Sequence, residues 1–383
     1  MTLRFDDILD AARDKSGAPD PHLDTWKEGL EILLYDHAKQ NRLTERGEGI
    51  TRNRYVEALA ARMSADEYIR QNPHVLETPI ERPVFILGLP RTGTTMLSYL
   101  FDADPAVRSM LRWEAYNLSP PAAYGDLKTD LRCLAEVAKD AIMLKAASKV
   151  AAAHFEPGDG PTECVHLLAQ DFRSLMLAVT TSVPTYHDWL LLTDMASAFE
   201  HRKRALQILQ STNPGRWVLK MPSDSLFIRQ IFKTFPDAKV IWTHRDPYAV
   251  VGSSFGMRGN SRPMFEIDEG RDYMRQYFPL QLGLHASRPL EVSHERPDDI
   301  LHLYYDDMVA DPMAQIRKAY AWLGDDLTPA AEAGMRAWLA DNPQNKRGKH
   351  SYSLAEWGLT RQALEPYFSD YLREHPVAAK ELV

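Results

Sequence analysis

From Phe5 to about Asn72, apolar residues return at three- and four-residue spacing: Ile8, Leu9 and Ala12, then Leu30, Leu33 and Leu34, then Tyr55, Leu59 and Met63. That is the period of helices with one buried stripe, broken by polar turns such as Ser16-Gly17-Ala18-Pro19. Residues 1–80 are therefore expected to form a helical N-terminal extension. At Pro83 to Leu89 (PVFILGL) the pattern changes to a short apolar run, followed by turn-prone Pro90-Arg91-Thr92-Gly93 and a helical pattern from Thr94 through Asp102. Trp217–Lys220, Lys239–Thr243 and Ile300–Tyr304 are further strand candidates, with a helical stretch Ser225–Phe235 between the first two. Residues 127–155 and 161–180 read as amphipathic helices forming lid or wall elements. Strands alternating with helices predict an α/β fold, a parallel sheet flanked by helices, over residues 81–383.

Composition narrows the function. The 383 residues are 44% hydrophobic and 26% charged, an ordinary globular balance, and the formal net charge is −8. Nucleic-acid binding needs an excess of Lys and Arg to neutralise phosphates, so no nucleic-acid partner is expected and any anion site must be a local cluster. Cys133 and Cys164 form no CxxC pair and lie near no His array of metal-ligand spacing, so neither a disulfide scaffold nor a metal is expected. The first residues lack the apolar core of a signal peptide. No uncharged apolar run reaches the ~18 residues of a membrane span, and a cytoplasmic location is expected.

Gly88-Leu-Pro-Arg-Thr-Gly93-Thr94-Thr95 has the spacing of a phosphate-binding loop but carries Thr94 where a nucleotide triphosphatase has Lys. A strand feeding such a loop into a helix start aims backbone N–H groups at an anion, and Thr92, Thr94 and Thr95 add hydroxyls. Arg91 adds a fixed positive fork where charge would grow on a leaving group. The same residues spell a sortase-type LPxTG signal, which belongs ahead of an apolar anchor and does not fit this position.

At this loop the chain resembles the sulfotransferases that use 3′-phosphoadenosine-5′-phosphosulfate (PAPS), specifically a bacterial branch reading PRTGTT. A second segment, Lys239 to Ser253 (KVIWTHRDPYAVVGS), is similar to the family's 3′-phosphate element, a strand ending in Arg245 with Ser253 eight residues on; the two can converge on one phosphate by charge and hydroxyl. The resemblance implies a P-loop-like fold, PAPS as sulfuryl donor, 3′,5′-ADP as product and no metal. It also implies that a basic tail segment, Arg347, Gly348 and Lys349 with Lys346 less firmly, closes over the 3′-phosphate, and that His244 packs behind the donor.

Three positions compete as general base. Glu114, beside Trp113 at the end of a further strand candidate, matches a catalytic Glu of related enzymes. Asp224 stands where relatives often carry His, after Lys220, which is left to stabilise the bridging oxygen. Glu163 lies three residues from His166 and could line the acceptor pocket. Aromatics Trp113, Tyr116, Tyr124, Phe155 and Phe172 suggest a hydrophobic hydroxyl acceptor, or plain core packing. Rival readings are a kinase or NTPase with an eroded loop and a non-catalytic nucleotide binder; a homodimer is an open guess.

Overall fold

The computed structural model describes residues 3–146, 155–343 and 353–377. Five strands, β1 (Val84–Gly88), β2 (Val107–Arg108), β3 (Arg216–Lys220), β4 (Lys239–His244) and β5 (Ile300–Tyr304), form one sheet in the order β2-β3-β1-β4-β5. All its pairings are parallel. Central β1 is buried throughout, so its apolar run serves two faces. Phe85 and Leu87 join Val240 and Trp242 in the larger core, whereas Val84 and Ile86 join Ile241 and Leu303 in a second one, covered by the helix Pro312–Leu323. This is the two-sided burial of a helix-flanked α/β sheet.

The lead-in folds as three helices, α1 (Phe5–Ser16), α2 (Thr25–Gln40) and α3 (Glu45–Gln71), and α3 is capped by the Thr44 hydroxyl, which accepts from the Gly47 N–H. Their stripes (Leu9, Leu30, Leu33, Leu59, Met63) belong to the same buried cluster as Phe85 and Leu87 of the sheet. Two glycines permit the approach: a Cβ on Gly29 would lie 2.3 Å from the Phe172 carbonyl oxygen, and one on Gly47 1.8 Å from that of Phe265. Arg54 of α3 donates to the Thr180 hydroxyl at 2.9 Å.

Two sequence expectations change. The helix expected over 161–180 is only Val165–Ala169 with a short turn at Leu175–Leu177. Pro161 and Glu163 are instead drawn out by bridges to Leu111 and Lys220, and Phe172 adopts φ 51° beside a buried Asp171 held by Arg62 and Arg173. The strand expected to end at Glu114 is only β2, and Glu114 starts a single turn, Glu114–Tyr116. Among the described residues no helix is long and apolar enough to cross a membrane.

Candidate active site

The loop after β1 turns through Gly88 (φ 146°), Arg91 (φ 68°) and Gly93 (φ 94°) before α4 (Thr94–Asp102) begins. At Gly88 a Cβ would come within 2.6 Å of the Thr243 carbonyl oxygen, so only glycine lets the loop leave beside β4. The Thr92 hydroxyl donates to the Leu89 carbonyl at 2.7 Å and lies 2.6 Å from the Thr243 hydroxyl. Thr92 is fully buried, and its hydroxyl staples the loop to β4. Thr94 and Thr95 face a cavity of about 1100 Å³.

Arg245 follows β4, and Asp246 caps the helix Pro247–Ser261 that carries Ser253. Arg245 donates from Nη1 to the Arg91 carbonyl at 2.6 Å, and Arg91 donates from Nε to Ser253 Oγ at 3.3 Å. The Arg245 guanidinium lies 4.1 Å from the centre of the Tyr305 ring, and its Nε is buried without a partner. A buried orphan donor on a charged group is costly, and it fits an anion arriving between Arg245 and the α4 N-terminus. Arg91 thus meets Arg245 and Ser253, 154 and 162 positions away in the chain, at one place. Lys346, Arg347, Gly348 and Lys349 lie outside the described residues.

Lys220 closes β3 beside β1, its Nζ 3.0 Å from Glu163 Oε1 and 3.1 Å from Glu156 Oε1. Burial pulls the Lys220 pKa down, but Glu163 and Glu156 outweigh it and the ammonium is held charged above its ordinary range. For Glu156, burial opposes ionisation, yet Lys220 and the Thr162 hydroxyl keep its pKa below the usual carboxylate value. Both Glu156 oxygens are engaged, because Thr162 donates to Oε2 at 2.6 Å. Glu163 gives only Oε1 to Lys220 and lines the cavity, leaving Oε2 without a hydrogen bond among the described residues. His166 also lines it, 2.7 Å from the Tyr116 hydroxyl, and burial pushes its pKa down to about 4.

The other two base candidates are each paired with an arginine. Glu114 is buried, takes Arg108 Nη1 at 2.9 Å and the Leu111 N–H at 3.0 Å, pairs also with Arg108 Nη2, and does not line the cavity. Asp224 is equally buried, with both oxygens on Arg202 Nη1 at 2.8 and 2.9 Å. Both oxygens of each carboxylate are engaged by an arginine, and neither residue lines the cavity. Of the aromatics, Phe155 lines the cavity and Tyr116 backs it through His166, whereas Trp113 and Phe172 are core residues and Tyr124 is 82% exposed.

Sequence reasoning missed Glu156 and Arg258, and it reads His285 as a surface or satisfied core residue. Arg258 lines the cavity, 4.8 Å above the Phe278 ring, with Nη1 buried and unpartnered and its pKa lowered by burial to about 10. His285 lines it too, bound to Ser225 Oγ at 2.6 Å, and burial pushes its pKa to about 3. Leu175, Met176, Val179, Met257, Met264 and Leu339 give an apolar stretch of wall, alongside polar Thr180, Ser223, Asn260, Ser261 and Asn342. One cavity therefore joins a cationic loop end, a Lys–carboxylate cluster and an apolar chamber.

A family model described as the sulfotransferase family matches residues 83–329. The chain is 26% identical over 302 residues to the omega-hydroxy-beta-dihydromenaquinone-9 sulfotransferase Stf3 of Mycobacterium tuberculosis, spanning 74% of this chain and 73% of that protein. The crystal structure of sulfotransferase STF9 from Mycobacterium avium superposes with a TM-score of 0.92 at 37% identity, covering 99% of this chain and 98% of that one. Sulfotransferase STF1 from Mycobacterium tuberculosis gives a TM-score of 0.81 at 26% identity, covering 96% and 99%.

Proposed function

Because the chain belongs to the sulfotransferase family, we propose that it transfers a sulfuryl group from PAPS to the hydroxyl of an apolar, lipid-like acceptor. The observation that carries this reading is the meeting of Arg91, Arg245 and Ser253 beside the loop-helix start, in a cavity also lined by Glu163, the carboxylate paired with Lys220. In this reading Gly93, Thr94, Thr95 and the α4 N-terminus hold the 5′-phosphosulfate. Arg245 and Ser253 hold the 3′-phosphate, and Arg347, Gly348 and Lys349 remain proposed to cover it. The donor supplies an activated sulfuryl group on a phosphate leaving group.

Lys220 and Arg91 stabilise the bridging oxygen as it takes up charge. The base is Glu163, through the oxygen that Lys220 leaves open; Glu114 and Asp224 are held by their arginines. The acceptor lies along Leu175, Met176 and Val179 with its hydroxyl at Glu163. A lipid-like acceptor agrees with the Mycobacterium tuberculosis relative, an omega-hydroxy-beta-dihydromenaquinone-9 sulfotransferase. A kinase would need a Lys in the loop and magnesium on its phosphates, and the loop has Thr94 in that position.

Calorimetric titration tests the donor, with 3′,5′-ADP against ADP and ATP plus magnesium. Micromolar binding of 3′,5′-ADP alone is expected; preference for ATP with magnesium overturns the reading. Transfer of labelled sulfate from PAPS to a series of alcohols of increasing chain length tests the acceptor. kcat/KM should rise with apolar length, and a preference for short polar alcohols rejects a lipid.

A further inference from the structure

Directly before Arg245, and outside the cavity, three histidines from three elements converge. His244 ends β4, His302 lies in β5, and His375 follows the last turn of the helix Arg361–Glu374. One ring nitrogen from each falls within 4.8 Å of the other two. His244 Nε2 is 2.9 Å from His302 Nδ1. The second nitrogens of His244 and His375 face tyrosine hydroxyls, Tyr371 at 3.1 Å and Tyr304 at 3.2 Å. That leaves His375 Nε2, buried and without a partner, on a residue only 8% exposed.

An aromatic filler does not explain this. The rings lie nearly parallel with centroids 4.1 to 5.1 Å apart, and Phe would give the same stacking without desolvating imidazole nitrogens. Burial keeps all three neutral, His302 at about 4, His244 well below its ordinary value and His375 lowered. Among the described residues no cationic group pairs with them: Lys318 reaches only the His302 carbonyl, and His294 is bound to Glu374. Neutral imidazoles with converging lone pairs are metal ligands, and an outer partner on the second nitrogen is how such ligands are oriented.

We propose that His244 Nε2, His302 Nδ1 and His375 Nε2 bind a divalent, imidazole-preferring ion of the zinc class, with one solvent ligand, as a structural clip that fastens the C-terminal helix to β4 and β5. Tetrahedral bonds of about 2.0–2.1 Å set ligand atoms about 3.4 Å apart. The 2.9 Å pair opens slightly, and the third nitrogen, which lies within 4.8 Å of both, draws in, a movement within reach of His375 beyond its helix end. On binding, the proton between His244 and His302 moves to His302 Nε2, so that all three imidazoles stay neutral, while the Nδ1–H groups of His244 and His375 donate to Tyr371 and Tyr304. The ion takes no part in sulfuryl transfer, and the inference does not rest on that function. Sequence spacing could not reveal it, since His244 and His302 are 58 residues apart and no cysteine joins them.

The test uses the full chain stripped with a chelator and titrated with zinc chloride by calorimetry. One equivalent should bind saturably and raise Tm. His302→Gln and His375→Gln should each weaken binding at least tenfold while circular dichroism shows the fold intact, and Tyr304→Phe should weaken it about tenfold through lost orientation. Cobalt(II) on the unaltered chain gives a readout should the variants fail to fold, because a three-histidine tetrahedral site produces intense visible d–d absorption. No saturable zinc binding, unchanged affinity in both histidine variants, or a weak aquo-type cobalt spectrum overturns the proposal.

Discussion

Replacing Arg245 with Ala separates the two phosphates of the donor. In the free protein Arg245 makes one hydrogen bond, from Nη1 to the Arg91 carbonyl, and keeps Nε without a partner. A 3′-phosphate would engage Nε and a terminal N–H. Charge-assisted hydrogen bonds contribute roughly 1.5–3 kcal/mol each, so two of them are worth about 3–6 kcal/mol, or about 10²- to 10⁴-fold in Kd. The lost anchor on Arg91 loosens the loop for any 5′-phosphate and costs both ligands the same, about 1.5 kcal/mol or roughly tenfold. Titration of Arg245→Ala with 3′,5′-ADP and with 5′-AMP should therefore show at least a tenfold greater loss for the former. Arg245→Lys should fall between, because it keeps the charge and loses the fork. Equal losses for the two nucleotides would refute a 3′-phosphate at Arg245.

Glu163→Gln should lower turnover about 10²-fold or more with affinity for 3′,5′-ADP nearly unchanged; normal turnover removes Glu163 as the base. Glu114→Gln should instead act on stability, costing about 3–5 kcal/mol in denaturant unfolding because Arg108 is left buried and unpaired, while the folded fraction turns over normally; a large fall in kcat would return the base to Glu114. Stability should decline as pH falls below 6.5, since His166 and His285 stay neutral in the fold down to about 4 and about 3, so the unfolded chain takes up protons first. His285→Gln should flatten that slope by about 1.4 kcal/mol per pH unit, and an unchanged slope would show that His285 is not held neutral.

Much of the fold was legible because apolar β1 and β4 have turn chemistry at their ends, and the Arg91 loop and the Arg245–Ser253 spacing carry their chemistry in local order. The carboxylates were not legible in the same way. What separates Glu163 from Glu114 and Asp224 is which arginine stands opposite: Arg108 lies six residues before Glu114 and Arg202 22 before Asp224. An acid beside a Trp reads alike whether its partner is a substrate or a buried guanidinium. Glu156 reaches Lys220 across 64 residues, a distance no spacing rule covers. The 161–180 stretch has helical periodicity, but the buried Asp171 and its arginines override it, a tertiary constraint that outweighs local preference.

The shared core beneath the lead-in sets where this molecule can be cut. The family model begins at residue 83, yet a chain started there would bare the surfaces on which Gly29 and Gly47 rest, at Phe172 and Phe265. It would also lose Arg54, which holds Thr180 in the cavity wall from behind. The stretch that marks the family is thus smaller than the unit that folds, and a fragment trimmed to the family boundary would forfeit part of its acceptor chamber along with its solubility.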